Sequence, residues 1–261
     1  KPLSTWNIVL GKWLAGMALL VLALLPTLLY AASLYVLGNP VGNLDLGSTA
    51  GSYLGLLILG GSYLAISLMF SASTDNSIVA FVGGAAGSLA MYAGFDAFVD
   101  LPSLANRGLY LLQWGISEHY TSMSRGVIDA NDLIYFGGLT AAFLAGARLL
   151  LEPLKNLRNA LPIGLALAAV ALSTFRPVFL RLDLTADQRY SLSDATEDLL
   201  NQVTEPLLVT VYLEGDFPSG FQRLQAETLR LLDEFRARNG KVRYELINPS
   251  ENSNPQVRRD T

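Results

Sequence analysis

The sequence contains no cysteine and a single histidine, His119. Without cysteine the chain can form no disulfide bond, no thiolate nucleophile and no cysteine-ligated metal site. Three motifs that carry known chemistry are missing as well: the GxxxxGKS/T phosphate loop, the HExxH zinc helix and the GxSxG nucleophile turn. His119 and its neighbour Glu118 offer fewer ligands than a zinc ion requires, which favours a structural or interfacial role over a proton or metal site. We therefore expect no catalytic residue, no cofactor and no metal in this chain.

Charged residues are also scarce. They make up 15% of the chain, against roughly 25% in a typical soluble domain, while 51% of the residues are hydrophobic. Residues 1–175 contain 7 Lys/Arg and 8 Asp/Glu, whereas the much shorter stretch 176–261 contains 11 and 14. The sequence thus predicts two physically different parts that meet near residue 175. The net charge of -4 argues against nucleic acid as a partner.

The first part is built of long apolar runs. A bilayer core of about 30 Å requires roughly 20 apolar helical residues. The fifth run is the weakest, because its uncharged centre spans only residues 159–175. The pattern predicts an α-helical polytopic membrane protein with about five transmembrane helices, at residues 13–37, 46–74, 76–95, 133–151 and 159–180.

The basic residues predict the orientation. With the amino end inside, the inner segments carry five Lys/Arg and the outer loops carry two. Because positive charge accumulates on the cytoplasmic side, we expect a cytoplasmic amino end and an extracytoplasmic region after the fifth helix. The inner residues are Lys1, Lys12, Arg148, Lys155 and Arg158, and the outer ones are Arg107 and Arg125.

Small residues four apart recur within the predicted spans, at Gly51 and Gly55, Gly83 and Gly87, and Gly138 and Ala142. Such spacing lets helix backbones approach closely, although glycine is also simply common in membrane helices. The long outer loop 96–132, with the apolar stretch 109–112, predicts one or two short helices at the outer membrane interface.

The polar tail follows a different period. Ser193 is suited to cap a helix, and the acids that follow it suit a helix amino end. Residues 207–213 and 241–247 are rich in strand formers, and residues 221–239 between them repeat with a helical period. One face of this helix, which we expect to be buried, carries Phe221, Leu224, Thr228, Leu231, Leu232 and Phe235, and Gly240 is placed at the helix cap. The tail is thus predicted to be a partial extracytoplasmic α/β domain with a parallel βαβ unit.

Two motifs in the first part resemble ABC-2-type transporter permeases. The opening PLSTWNIVLGK resembles the cytoplasmic stretch that leads into the third membrane helix of that family. The segment ISEHYTSMSRGVIDANDLIYF is similar to the stretch before the last membrane helix. The matched positions that we take as candidate site residues are Pro2, Ser4, Gly11 and Lys12, with the adjoining Trp6, in the first motif, and His119, Arg125, Gly126, Asp129 and Asp132 in the second.

The segment LDLTADQRYSLSDAT resembles the start of the extracytoplasmic region of gliding-motility-associated ABC transporter auxiliary proteins. Permease and auxiliary protein are often separate chains in that family, but here they look fused. The resemblance implies a partial permease over residues 1–151, a cytoplasmic linker over 152–158, an auxiliary-protein helix over 159–180 and the partial outer domain over 181–261. We expect the chain to be a fragment of a longer protein, because it starts at Lys1 and ends within a polar stretch.

The resemblance implies a transport subunit in the bacterial inner membrane. A separate ATPase chain would bind ATP, a second permease copy or half would complete the path, and residues 2–12 would couple ATPase motion to the membrane. Pro2 restricts the preceding backbone, Ser4 can cap a helix, and Trp6 and Lys12 mark the interface. Two alternatives stay open: a membrane anchor or scaffold that displays the outer domain, and a membrane-bound enzyme.

Overall fold

The computed structural model describes residues 4–99, 114–152, 161–175, 181–186, 191–215 and 219–248. The chain divides into two compact units. The first comprises Lys1–Gly94 and Gly115–Tyr190, and the second comprises Phe95–Trp114 and Ser191–Thr261. Pro2, the apolar stretch 109–112 and the linker residues 153–158 lie outside the described residues.

The first unit is a bundle of helices with one short strand pair. Within the described ranges, four helices are long and apolar enough to cross a membrane, by length and composition: Thr5–Leu37, Leu46–Ser73, Ser77–Phe95, whose last residue belongs to the second unit, and Ala130–Leu151. The elements are α1 (Thr5–Leu24), a 3-10 turn (Leu25–Thr27), α2 (Leu28–Leu37), α3 (Leu46–Ser73), α4 (Ser77–Val99), α5 (Ile116–Ser124), β1 (Val127–Asp129), α6 (Ala130–Leu151), α7 (Leu161–Phe175) and β2 (Arg181–Asp183).

The first helix starts earlier than the apolar run predicts. Ser4 is the N-cap, and its hydroxyl accepts a hydrogen bond from the Asn7 amide at 3.3 Å. The capping role predicted for Ser4 is therefore confirmed, and the polar Lys12 lies within the helix. Pro26 falls in the 3-10 turn that separates α1 from α2, where its missing N–H is tolerated.

The fifth apolar segment is helical over its described part. Helix α7 covers Leu161–Phe175, and the remaining residues of the predicted span, 159–160 and 176–180, lie outside the described residues. The second, third and fourth predicted runs match the helical spans Leu46–Ser73, Ser77–Phe95 and Ala130–Leu151 to within three residues at each end.

Glycines bring these helices together, as their spacing predicts. A Cβ added at Gly55 would lie 2.9 Å from the Met123 Cβ on α5, and one at Gly138 would lie 2.9 Å from a Val170 methyl on α7. Glycine at these positions therefore has a packing role beyond its general abundance in apolar helices.

The second unit contains the predicted βαβ arrangement. Strand β3 (Leu207–Val211) pairs in parallel with β4 (Val242–Leu246), in the register Leu207 with Val242. Helix α9 (Ser219–Arg238) connects them, and helix α8 (Asp194–Gln202) precedes β3. Ser193 caps α8 by accepting from the Thr196 amide at 3.3 Å, so the cap prediction is confirmed.

Two expectations for this unit are wrong. Gly240 does not adopt the left-handed conformation of a glycine cap. The helix ends at Arg238, and the amide of the next residue, Asn239, donates to the Phe235 carbonyl at 2.9 Å. The Asn239 side chain ties this end to the end of α8, because its Nδ2 donates to the Leu200 and Val203 carbonyls at 2.7 and 3.0 Å and its Oδ1 accepts from the Lys241 amide at 3.0 Å.

The buried face of α9 is rotated relative to the predicted one, although Thr228 and Phe235, which were predicted to be buried, are half-buried. Leu231 is 46% exposed, and Phe221 and Leu224 are exposed as well, whereas Leu232 is buried at 7%. Gln225, on the same helix, is also buried. The helix packs on α8 and β4 along a narrow stripe, so apolar residues one position off that stripe face outward.

Candidate functional site

Three groups of residues in the first unit contain Trp6 of the first motif and all five candidate residues of the second motif. We call them the Trp6 cluster (Thr5, Trp6, Arg148, Glu152), the His119 cluster (His119, Ser122, Asp132, Tyr135) and the clasp (residues 45–51, 125–129 and 181–186).

The Trp6 cluster joins the start of α1 to the end of α6. The Thr5 hydroxyl donates to a Glu152 carboxylate oxygen, 147 residues away in the chain. The Arg148 guanidinium lies 5.1 Å from the centre of the Trp6 ring and forms an ion pair with Glu152 at 3.6 Å. A guanidinium over an indole face is attracted by the ring quadrupole. The first turn of α1 is therefore attached to the end of α6 by two separate contacts, and the Arg148–Glu152 ion pair at the end of α6 connects them.

The helices below this cluster pack through small residues. Val9, Ala65, Leu144 and Ala147 are buried together, with Trp6 and Trp13 packed against them. The Trp13 indole donates to the Gly61 carbonyl at 2.8 Å, which satisfies its only polar group inside the bundle. The segment 4–12 thus continues directly into a packed part of the bundle.

The candidate residues of the first motif have different environments. Ser4, Gly11 and Lys12 are exposed, and Trp6 is half-buried. A Cβ added at Gly11 would meet no atom within 4 Å. Packing within the described residues therefore does not require glycine at this position.

The His119 cluster lies where α5 meets the start of α6. Asp132 is buried at 3%, and its two oxygens are bound by the His119 Nδ1 at 2.8 Å and by the Ser122 hydroxyl at 2.5 Å. The His119 ring stacks on the buried Tyr135 ring, with centroids 3.9 Å apart and planes 18° apart. The structure therefore brings together His119 and Asp132, two of the five residues of the second motif.

The geometry does not build a nucleophile. In a hydrolytic triad the serine hydroxyl bonds to the histidine and the acid orients that histidine. Here the Ser122 hydroxyl donates to the central Asp132 instead. The cluster is better suited to hold α5 against α6. Among the described residues, no group of three or more His, Asp or Glu side chains could hold a metal ion.

The clasp contains the other three residues of the second motif. Buried Asp129 forms an ion pair with Arg181 at 2.9 Å, and strands β1 and β2 pair antiparallel around it, with Ile128 opposite Leu182. Gly126 has φ +86, and its carbonyl accepts from the Leu184 amide at 3.1 Å. Arg125 is exposed, and its carbonyl accepts from the Ser48 hydroxyl at 2.9 Å.

Asp45 holds the third segment of the clasp, residues 181–186, against the start of α3. One of its carboxylate oxygens caps α3 by accepting from the Ser48 amide at 2.9 Å, and the other accepts from the Ala186 amide at 3.0 Å. Gly51 packs so closely on Gly126 that an added Cβ would lie 2.6 Å from its Cα. The segment after α7 is thus held to the starts of both α3 and α6.

Sequence reasoning missed Arg181, Asp45 and Ser122 as parts of these sites. Arg181 and Asp129 are 52 residues apart, and Asp45 and Ala186 are 141 apart. A local signal was present for Asp45, which stands before an apolar helical run where an N-cap residue is expected. In the second unit, Tyr244 donates to Asp233 at 2.7 Å, and burial together with this bond raises the pKa of Tyr244 to about 12.

The first unit is therefore an apolar helical bundle of the kind that membrane proteins contain, with polar clusters at its helix ends. A family model described as a domain of unknown function (DUF7088) matches residues 186–261, which is less than a third of the chain. No curated protein and no solved structure matches the chain.

Proposed function

We propose that the chain is a membrane-spanning permease and auxiliary subunit of an ABC-2-type transporter, of the exporter kind, energised by a separate ATPase. The observation that carries the proposal is the attachment of the motif segment 4–12 to the end of α6 through the Trp6 cluster. A push delivered to a capped helix start with tertiary contacts is transmitted as a rigid-body movement, which a flexible loop would absorb.

The membrane arrangement is part of the proposal. The four long helices and α7 would cross the bacterial inner membrane, with the Trp6 cluster at the cytoplasmic face and the clasp at the outer face. This placement agrees with the excess of basic residues at the Trp6 end. Residues 1–151 would form the permease part, 152–158 the linker, 159–180 the auxiliary-part helix and 181–261 the outer domain. A second permease copy or half would pair with this bundle.

The coupling role is tested in the intact protein with its ATPase. Trp6→Ala removes the surface under Arg148, and Ser4→Pro removes the α1 cap, so both should lower stimulated ATP hydrolysis or complex formation while membrane insertion stays normal. Gly11→Leu adds bulk on an exposed face and should act similarly if the ATPase contacts that face. Gly137→Leu is the matched control, since Gly137 also has no atom within 4 Å of an added Cβ. Normal ATPase binding and stimulation in all three variants would place the coupling site elsewhere.

A second candidate is a non-transporting membrane scaffold that displays the outer domain to a cell-envelope partner. The clasp favours it, because residues 181–186 fix the chain leading to that domain on the bundle. Purification from native membranes distinguishes the two. An ATPase that copurifies stoichiometrically supports the transporter, and its absence together with a retained envelope partner supports the scaffold.

A further inference from the structure

A groove opens between α1, α3 and α6 near the Trp6 cluster. It encloses about 60 Å³. Because about 10–15 Å³ of such space admits one water molecule, the groove can take the end of a hydrocarbon chain. Its wall is mainly apolar, with Ile8, Leu68, Ala147 and Leu151, and its two polar members are Lys12 and Ser71.

Lys12 is the unusual feature of this groove. It is exposed, and among the described residues it forms neither an ion pair nor a hydrogen bond. The other described cation at this end, Arg148, is paired with Glu152. Asp75 is exposed at the turn after α3 and forms no described ion pair with Lys12. The groove thus combines an apolar wall with an ammonium group whose charge is not offset by a described carboxylate.

We propose that this groove binds an anionic phospholipid of the cytoplasmic leaflet. The phosphate lies against the Lys12 ammonium and the Ser71 hydroxyl, and an acyl chain lies along the apolar wall. The inference rests on the membrane insertion that the proposed function requires. Lys12 is seven residues inside α1, about 10 Å from its start, and a lysine side chain at that depth reaches the headgroups by snorkelling.

A lipid fits this position better than a soluble partner. A partner that docks on the cytoplasmic end would first meet Thr5 and Glu152, at the helix ends. Leu68 and Ala147 lie one to two turns further into the bundle, at the depth of lipid chains. Anionic headgroups are also attracted to basic residues beside a membrane helix, at about 1 kcal/mol per residue.

The test counts lipids on the full chain by native mass spectrometry after purification from membranes, with phosphatidylglycerol and phosphatidylcholine added in equal amounts. The parent should prefer phosphatidylglycerol, and Lys12→Gln should reduce that preference about fivefold, the effect of one juxtamembrane cation. Ser71→Phe fills the groove and should reduce binding of both lipids. Arg125→Gln is the control for Lys12→Gln: it removes an exposed cation at the opposite end of the bundle and should leave the lipid preference unchanged. Ser33→Phe is the control for Ser71→Phe and should leave the binding of both lipids unchanged.

Equal binding of the two lipids by the parent, or unchanged binding in Lys12→Gln and Ser71→Phe, would overturn the lipid site. Loss in Arg125→Gln equal to that in Lys12→Gln would also overturn it, because it would show general charge attraction. These outcomes differ from failure of the proposed function. A chain that carbonate washing strips from membranes contradicts insertion itself, and an inserted chain that binds no ATPase contradicts transport without affecting the lipid result.

Discussion

At the scale of single residues, the clasp depends most on Gly126. Its φ of +86 is unfavourable for residues with a side chain, by roughly 1–2 kcal/mol. A Cβ at this position would also lie 2.5 Å from the Ser48 Cα, a backbone atom that cannot move aside. Gly126 therefore combines a conformational and a packing requirement, which explains why a glycine follows the exposed Arg125.

We expect Gly126→Ala to destabilise the protein by more than about 2 kcal/mol, since strain and overpacking add. Thermal unfolding of the detergent-purified chain measures the effect. Gly137→Ala is the control, because an added methyl there meets nothing and alanine favours the helix by up to about 1 kcal/mol. Equal melting temperatures for the two variants would show that the close approach of Gly126 to α3 is wrong.

The second motif shows how far residue-level prediction reaches. The sequence singled out His119 and Asp132 as separate matched positions, and the structure joins them at 2.8 Å. Asp129 and Gly126 were also singled out, but their partners Arg181 and Ser48 lie in distant segments. Local sequence patterns identify residues with unusual chemistry. Which distant residue each of them contacts depends on how the helices cross, and a single sequence does not contain that information.

At the scale of elements, the tail illustrates the same limit. The strand and helix periods correctly predicted β3, α9, β4 and their parallel pairing. The rotation of α9 was predicted wrongly, because adjacent residues Leu231 and Leu232 are both leucine and only packing decides which one is buried. Periodicity defines an apolar arc, but it does not define the narrower stripe that touches the sheet.

Two variants at adjacent positions test which face of α9 is buried. Leu232→Asp should destabilise the second unit by roughly 3–5 kcal/mol, the cost of an uncompensated buried charge. Leu231→Asp, with a side chain that is 46% exposed, should cost much less. Limited proteolysis of the full chain reports the difference. Equal sensitivity of the two variants would restore the face predicted from the sequence, which contained both leucines.

The β1–β2 pair is an element that the sequence did not indicate, since each strand has only three residues. The absence of native cysteine allows a direct test. Ile128→Cys with Leu182→Cys should form a disulfide on mild oxidation, because directly opposite residues in an antiparallel pair lie about 4.5–5.5 Å apart.

Ile128→Cys with Asp183→Cys is the control for this crosslink, since neighbouring residues on a strand face opposite sides. Mass spectrometry of the digested protein identifies the bridge. A higher disulfide yield in the control pair would show that the strand register is shifted by one residue. No disulfide in either pair would show that β1 and β2 do not pair, which would contradict the clasp.

At the scale of the whole chain, the bundle contacts and the charge distribution make the same topological prediction independently. The clasp collects the starts of α3 and α6 and the segment after α7, while the Trp6 cluster collects the start of α1 and the end of α6. If each cluster lies at one face of the membrane, the chain must cross an odd number of times between residue 5 and residue 181. Five crossings require α7 to span, and its described part supplies 15 apolar-rich residues of that crossing.

Single cysteines introduced into the cysteine-free chain test this topology in intact spheroplasts with a membrane-impermeant thiol reagent. Asn43→Cys and Ser219→Cys should be labelled, because both follow an odd number of crossings from a cytoplasmic start. Asn76→Cys and Asn156→Cys should be labelled only after the membrane is permeabilised. Labelling of Asn76 and Asn156 with protection of Asn43 and Ser219 would invert the orientation. Labelling of Asn43 with protection of Ser219 would instead show that α7 returns without crossing, which would separate the clasp from the outer face and contradict the placement of the tail outside the cell.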